Sequence, residues 1–283
     1  MSNPKKTILD IQKAKEEGRK LVMMTAYDYP FGLLADEAGV DIVLIGDSLG
    51  MVVMGLEGTV EVTMEHMIHH IKAVVRGCKG PFVIGDMPFM SYNTSIREAI
   101  INAGRLMKEG GCDAIKLEGG VDFALTIESI VKAGIPVQGH IGLTPQTASA
   151  LGGFKMQGRD AQAAKQIIDD AKALEDAGVF SIILEAVPAP LGKLVAEAVR
   201  APVIGIGAGP DVDGQVLVTH DMVGLFDKFT PKFVKQYTNI RSIILEALCE
   251  YKKDVTDVAF PGPEHSFKMP EDALDQLKKM IGK

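Results

Sequence analysis

Short apolar runs, bounded by glycine, proline or polar residues, recur along the chain and define its predicted strands. The eight runs are 21–27, 41–47, 81–87, 113–119, 135–142, 180–187, 202–209 and 216–224. Most are nearly continuous in hydrophobicity and rich in β-branched residues, which is typical of strands covered on both faces of a parallel sheet. The pattern therefore predicts buried parallel strands rather than half-exposed antiparallel ones.

Helical patterns fill most of the gaps between these runs. Apolar positions three and four apart, often ending at glycine, predict helices at 29–39, 95–111, 121–134, 160–178 and 190–200, and one starting near Thr63. Residues 48–62 are then a long loop after the second strand. The repeated alternation predicts a (β/α)8 TIM barrel of the α/β class, with a doubly wound open sheet as the alternative.

The 283 residues are interpreted as a single domain, because barrels of this kind commonly use roughly 250 residues. No linker rich in serine, glycine or proline interrupts the predicted barrel core at about 20–250. Segment 7–17 is predicted to be an N-terminal helix that plugs the lower end of the barrel. The tail, 254–283, is irregular before a short amphipathic helix at its end; packing on a neighbouring subunit and disorder both fit it.

Charge and cysteine content narrow the possible partners. With 30 basic and 37 acidic residues the net charge is −7, so neither nucleic acid nor a membrane surface is an expected partner. The three cysteines form no CxxC pair, which favours a reducing compartment. The charged N-terminus resembles no signal peptide, and no apolar run reaches ~18 residues. A cytoplasmic protein acting on small molecules is expected.

One run ends on an acid, in the sequence VLIGDSLG at 43–50, and Asp47 there has two interpretations. Asp and Ser before a helix commonly cap its free N–H groups. Alternatively, Asp47 is a functional group at the carboxyl end of a buried strand, where barrel enzymes place their chemistry. The following strands favour the second interpretation.

Five consecutive predicted strands end in ionisable groups, from the second to the sixth. These are Asp47, Asp86, the pair Lys116 and Glu118, His140, and Glu185. Side chains alternate along a strand, so Lys116 and Glu118 point the same way while Ile115 and Leu117 face the helices. Each group alone could be a cap, a structural ion pair or a core histidine, but in a closed barrel all converge on one mouth.

The donor types indicate what the predicted site binds. Several carboxylates with no cysteine and no paired histidine favour Mg²⁺ over zinc or copper. Burying several carboxylates without a cation is also costly. A 2-oxo acid, which offers a carboxylate and a keto oxygen, would chelate such an ion.

Six stretches of the chain resemble one enzyme family: TAYDYPFGLLADEAG, GDSLGMVV, HIGLTPQ, GGFKMQGR, GIGAGPDVDGQVLV and PGPEHSF. They follow, in order and over roughly residues 5–267, the pattern of the ketopantoate hydroxymethyltransferases. The resemblance implies a barrel of the phosphoenolpyruvate/pyruvate group acting in pantothenate and coenzyme A synthesis. It implies transfer of a hydroxymethyl group from 5,10-methylenetetrahydrofolate to 3-methyl-2-oxobutanoate, forming 2-dehydropantoate (ketopantoate) through a Mg-stabilised enolate.

The resemblance also assigns roles to the residues at the strand ends. It implies one Mg²⁺ per subunit on Asp47 and Asp86, with Glu118 bound directly or through water. Substrate contacts are assigned to Asp47, Ser48, Asp86, Lys116 and His140, and catalysis to Glu185 as acid/base and Lys116 as the cation at the oxo acid. Families of this kind assemble as rings, so a homo-oligomer such as an octamer or decamer is expected.

Two other functions are compatible with the same pattern. Related barrels perform carbon–carbon cleavage or phosphonomutase chemistry, but the lyases tend to carry a nucleophilic cysteine in a loop, and no cysteine follows a predicted strand end here. A non-catalytic barrel serving as a binding module is the other alternative.

Overall fold

The computed structural model describes residues 4–148 and 153–283. Its parallel strands close into an eight-stranded barrel in sequence order, with the last paired to the first. The strands are β1 Leu21–Thr25, β2 Ile42–Ile45, β3 Phe82–Asp86, β4 Ala114–Glu118, β5 Val137–Gly142, β6 Ser181–Glu185, β7 Val203–Ile206 and β8 Gly214–Leu217. The predicted closed barrel is confirmed, and the open-sheet alternative is wrong.

The helices predicted between the strands are present. The helices are α1 Ile8–Glu16, α2 Tyr29–Ala38, α3 Leu49–Val52, α4 Met64–Gly77, α5 Ile96–Arg105, α6 Ala124–Lys132, α7 Ala161–Asp176, α8 Ala189–Ala198, α9 Thr219–Met222, α10 Ile240–Thr256 and α11 Glu271–Met280. Of these, α3 lies inside the predicted loop 48–62, and α10 was not predicted. A π-helical turn, Leu106–Gly110, continues α5. Across the two described ranges, no helix has both the length and the apolar character needed to cross a bilayer.

The hydrophobic core has two layers, an inner cluster inside the barrel and an outer cluster between the strands and the helices. Successive side chains along a strand point alternately into one layer and the other. On β2, Ile42 and Leu44 belong to the cluster inside the barrel, whereas Val43 and Ile45 belong to the cluster between strands and helices. Strands covered on both faces need apolar residues at every position, which explains their unbroken hydrophobic runs.

The N-terminal helix closes the lower end of the barrel, as predicted. Thr7 caps α1, and Ile11 is buried in the inner cluster. The Lys15 ammonium donates hydrogen bonds to the carbonyls of Ala196, Val199 and Ala201, just before β7. These contacts fix α1 at the amino ends of the strands and leave the carboxyl ends free for the site.

The eighth strand differs from the prediction of 216–224. It begins at Gly214, where a Cβ would lie 2.7 Å from the Leu21 carbonyl oxygen of β1, so the close approach that closes the barrel requires glycine. The chain then leaves the sheet because Thr219 donates from its backbone N–H to Thr25 Oγ1 at 3.0 Å, and from its hydroxyl to the Thr25 carbonyl. Residues after Leu217 therefore form α9 rather than strand.

Candidate active site

All the predicted site residues lie at one cavity of about 750 Å³ at the carboxyl ends of the strands. They are Asp47, Ser48, Asp86, Lys116, Glu118, His140 and Glu185. On β4, Ile115 and Leu117 lie in the outer cluster, and Lys116 and Glu118 line the cavity. The two-residue period of the strand thus places both charged side chains on the inner face.

Lys116 and Asp86 form a buried ion pair on neighbouring strands. The Lys116 Nζ donates to Asp86 Oδ1 at 2.8 Å and to Oδ2 at 2.7 Å. The parallel register pairs these two residues directly. Lys116 Nζ also lies 3.5 Å from Glu118 Oε1, so one cation sits between two carboxylates.

Asp47 is part of this charged cluster and does not cap α3. Its backbone N–H donates to Asp86 Oδ2 at 3.1 Å, and its own Oδ2 accepts from the Gln146 side chain at 2.8 Å. The residue at the N-cap of α3 is Ser48, which makes no capping hydrogen bond. The capping interpretation is therefore wrong, and Asp47 lies at the cavity, at the carboxyl end of β2.

Gln146 connects three parts of the site. Its side-chain nitrogen also donates to the Met87 carbonyl at 2.9 Å, and its Oε1 accepts from the Tyr92 hydroxyl at 2.7 Å. Its backbone N–H donates to Glu118 Oε2 at 3.1 Å. Both polar atoms of the buried side chain, and the backbone N–H, are thus hydrogen-bonded to neighbouring groups of the site.

His140 lies between two carboxylates on β5. Its Nδ1 is 3.4 Å from Glu118 Oε1, and its Nε2 is 3.3 Å from Glu185 Oε2. Burial and the charge of Lys116 oppose protonation of His140, but Glu118 and Glu185 together raise its pKa to about 9. The ring is therefore positively charged near neutral pH. It lies between Glu118, which is next to Lys116, and Glu185.

Burial and mutual repulsion determine the electrostatics of the carboxylates. Burial, and next the charge of Asp86, raises the pKa of Asp47 well above its ordinary value. Burial would also raise the pKa of Glu118, but the charges of Lys116 and His140 outweigh it and lower that pKa. Asp47 is thus the member of the cluster that most lacks a positive neighbour.

The donor set is compatible with a divalent cation. Asp47, Asp86 and Glu118 are buried together. The positive groups beside them are Lys116 and the protonated His140, which lies next to Glu118, so the repulsion between Asp47 and Asp86 is the part that a cation would relieve. Among the described residues, no three Asp, Glu, His or Cys side chains form a complete metal site by themselves. Mg²⁺ commonly uses one or two carboxylates together with waters and substrate oxygens, and Asp47 with Asp86 fits that requirement.

Sequence reasoning did not single out Asp221, which lines the cavity, or Gln146, Tyr92 and Tyr27, which support its lining residues. Gln146 was part of the quoted HIGLTPQ motif without a role of its own, and Tyr92 and Asp221 carried no signal. Tyr27 supports Ser48, because their hydroxyl oxygens lie 2.8 Å apart. The GGFKMQGR stretch begins at Gly152, which lies outside the described residues, while its Lys155 and Met156 line the cavity.

Comparison with known proteins identifies the family. The model of the ketopantoate hydroxymethyltransferase family matches residues 5–263. The chain belongs to this family. Ketopantoate hydroxymethyltransferases are enzymes, so the predicted class is confirmed and the non-catalytic alternative is wrong.

Individual relatives of the ketopantoate hydroxymethyltransferase family agree with this assignment. The 3-methyl-2-oxobutanoate hydroxymethyltransferase of Moorella thermoacetica is 56% identical over 93% of this chain and 97% of its own. The enzyme of the same name from Carboxydothermus hydrogenoformans is 53% identical over 96% of this chain and 98% of its own. The resemblance stated from the motifs is therefore confirmed.

Solved structures with low sequence identity share the fold. A phosphonopyruvate hydrolase in complex with oxalate and Mg²⁺ has a TM-score of 0.60 at 13% identity, covering 98% of this chain and 97% of its own. A 2,3-dimethylmalate lyase, a member of the PEP mutase/isocitrate lyase superfamily, gives 0.60 at 14% identity, with 98% of each chain covered. These two structural matches support the barrel fold and say nothing about the activity of this chain.

Proposed function

We propose that the chain transfers a hydroxymethyl group from 5,10-methylenetetrahydrofolate to 3-methyl-2-oxobutanoate, forming 2-dehydropantoate in pantothenate and coenzyme A synthesis. The observation that carries the proposal is the arrangement of charge across the cavity. The Lys116–Asp86 pair and Asp47 lie on one side, and His140 connects Glu118 to Glu185. A binding region for an oxo acid and a separate carboxylate base are what removal of a proton next to a ketone requires.

The oxo acid would bind beside Asp47, Asp86 and Lys116. Asp47 and Asp86 would hold Mg²⁺, with Glu118 contributing through water, and Ser48 would contact the substrate carboxylate. When bound, the ion supplies Lewis-acid polarisation of the keto group. Lys116 adds a second positive charge close to the oxygen on which negative charge develops.

Glu185 would take the proton from C3. It lies at the end of β6 with its side chain mostly buried, and its Oε2 is 3.3 Å from His140 Nε2. The C3 carbon then forms a bond to the methylene carbon of the donor, and the two bonds from that carbon to N5 and N10 of the folate break. One water is consumed overall, its oxygen becoming the new hydroxyl, and tetrahydrofolate is released.

The first half of this reaction can be tested without folate. The protein is incubated with 3-methyl-2-oxobutanoate in D₂O, with and without Mg²⁺, and the C3 proton signal is followed by NMR. Metal-dependent loss of that signal is expected. Folded protein that shows no metal-dependent exchange would refute enolisation as the first step.

A homo-oligomer is part of the same proposal, and α10 supports it. Its residues Ile244, Leu248, Tyr251 and Val255 follow a four-three-four spacing, which places them on one face. Their exposed fractions are 44%, 60%, 59% and 46%. An apolar face of this kind is typical of a helix that packs on another subunit, and a second copy of the chain is the proposed partner.

The cytoplasmic location and the place in pantothenate synthesis stay predictions. They rest on the family resemblance and on the cysteine pattern.

A further inference from the structure

Asp221, on α9, is a buried carboxylate for which the structure describes no partner. Its side chain lines the cavity and only 7% of the residue is exposed. In residues 4–148 and 153–283, nothing donates a hydrogen bond to its carboxylate or pairs with it as a cation within 4.0 Å. Burial raises its pKa to about 6, so the group is largely ionised at neutral pH. A buried charge without a protein partner costs free energy that a ligand donor would recover.

The position of Asp221 is fixed by the barrel. Two hydrogen bonds from Thr219 to Thr25 join the start of α9 to the end of β1. The charges of Asp221 and Asp47 both act on Tyr27, whose pKa is raised first by burial and then by these two carboxylates. Asp221 therefore faces the same cavity as the oxo-acid groups, from the β8 side of the mouth.

The cavity is larger than a five-carbon oxo acid needs. Volumes of about 300–1,000 Å³ are typical of sites for ligands of drug size, and this one is about 750 Å³. Phe226, Phe229 and Phe233 line it in the segment that follows α9. Aromatic walls of this kind bind the flat face of a ring system, and a carboxylate at the edge fixes its orientation.

We propose that Asp221 binds the aminopyrimidinone ring of the folate donor, its two carboxylate oxygens accepting hydrogen bonds from the ring N3–H and the 2-amino group. This inference rests on the function proposed above. A carboxylate offers two parallel acceptors, which match two adjacent N–H donors on one ring edge. The segment of Phe226, Phe229 and Phe233 supplies the apolar surface for the ring, and the transferred carbon then faces the oxo acid.

The variant Asp221→Asn tests this assignment, because it keeps the shape and removes the charge. The KM for 5,10-methylenetetrahydrofolate is expected to rise about 10- to 100-fold, as loss of a charge-assisted pair predicts. The Kd of tetrahydrofolate, measured by calorimetry, should rise by a similar factor. The KM for 3-methyl-2-oxobutanoate should change less than about threefold, and Mg²⁺-dependent C3 exchange should be retained.

Asp227→Asn is the matched control. Asp227 follows α9 closely, but it is exposed and pairs with Arg241 at 2.8 Å. Its replacement should leave both KM values unchanged.

The outcomes separate this inference from the proposed function. Unchanged donor KM and tetrahydrofolate affinity in a folded Asp221→Asn variant, beside an active wild type, would overturn the role of Asp221 alone. Wild-type protein that catalyses C3 exchange but neither binds tetrahydrofolate nor uses the donor would overturn both.

Discussion

The side-chain nitrogen of Gln146 lies 2.8 Å from Asp47 Oδ2, and it reaches this carboxylate across 99 positions of sequence. The same glutamine accepts from Tyr92 and donates from its backbone to Glu118. Groups that hydrogen-bond to metal-binding carboxylates commonly determine their orientation. Gln146 thereby connects two carboxylates of the proposed metal site, Asp47 and Glu118.

Replacing Gln146 with alanine should weaken Mg²⁺ binding about 10- to 100-fold, because Asp47 loses the hydrogen bond that orients it. Calorimetric titration of the folded variant with Mg²⁺ measures the effect. Gln138→Ala is the control, since Gln138 is also buried on the barrel and donates to Ser181 at 2.7 Å. The control should lose stability without losing Mg²⁺ affinity; equal Mg²⁺ affinity in both variants would contradict the role of Gln146.

Glu185→Gln should abolish proton exchange while preserving binding of the oxo acid. Removal of a general base commonly costs about 10²- to 10⁴-fold in rate. The exchange rate is measured by NMR in D₂O, and oxo-acid affinity by calorimetry with Mg²⁺ present. Exchange at the wild-type rate would exclude Glu185 as the base.

Lys116→Met should destabilise the metal-free protein by roughly 3–5 kcal/mol at pH 8, because Asp86 and Glu118 lose their shared buried cation. The loss should be smaller at pH 5. Burial raises the pKa of Asp86 even in the wild type, and without the ammonium it rises further, so the cost of ionisation grows as pH increases. Urea unfolding at both pH values measures the difference.

The control for Lys116 is Lys165→Met, which removes an exposed ion pair with Asp169 on α7. Pairs of this kind contribute about 0–1 kcal/mol. If the two variants lost the same amount of stability at both pH values, Lys116 would not be an essential counter-charge for Asp86 and Glu118.

Asp221→Asn should stabilise the metal-free protein at pH 8 by on the order of 1 kcal/mol, after allowing for residual solvent screening. The folded-state pKa of Asp221, about 6, lies above the unfolded value of about 3.9. The folded state therefore binds the proton more tightly, and wild-type stability falls as pH rises from about 4 to about 6. Denaturant unfolding should show the gain of the variant at pH 8 and its disappearance near pH 4. A variant less stable than wild type at pH 8 would contradict the burial of this charge.

Leu248→Glu on α10 should dissociate the proposed homo-oligomer, because it places a charge in the middle of the exposed apolar face. Light scattering after size-exclusion chromatography gives the mass. The control is Leu125→Glu on α6. Leu125 is exposed to a similar extent, 64% against 60% for Leu248. Identical masses for both variants would refute α10 as the contact.

The sequence predicted the barrel and its charged mouth for a physical reason. Continuous apolar runs are required by strands buried on both faces, and the two-residue period placed Lys116 and Glu118 inward. Gln146 could not be predicted in the same way. It lies in a loop, and its role depends on that loop folding across the mouth onto Asp47, a contact that leaves no periodic pattern.

Asp221 was missed because it lies inside a segment that was predicted to be a strand. The segment 216–224 was predicted to be strand throughout, which gave Asp221 no defined position at the mouth. The hydrogen bonds of Thr219 to Thr25 end the sheet contact and turn the chain into α9. Contacts between positions so far apart are determined by barrel closure and not by local sequence.

The contact between Thr219 and Thr25 joins segments 194 positions apart, and this has a consequence for synthesis of the protein. Until the last strand has left the ribosome, the growing sheet has two unpaired edges, which are prone to associate with other chains. The charged residues at β2 to β6 that line the cavity emerge before that moment, whereas Asp221 emerges just after the closing strand. Nascent chains stalled before residue 214 are therefore expected to depend on chaperones.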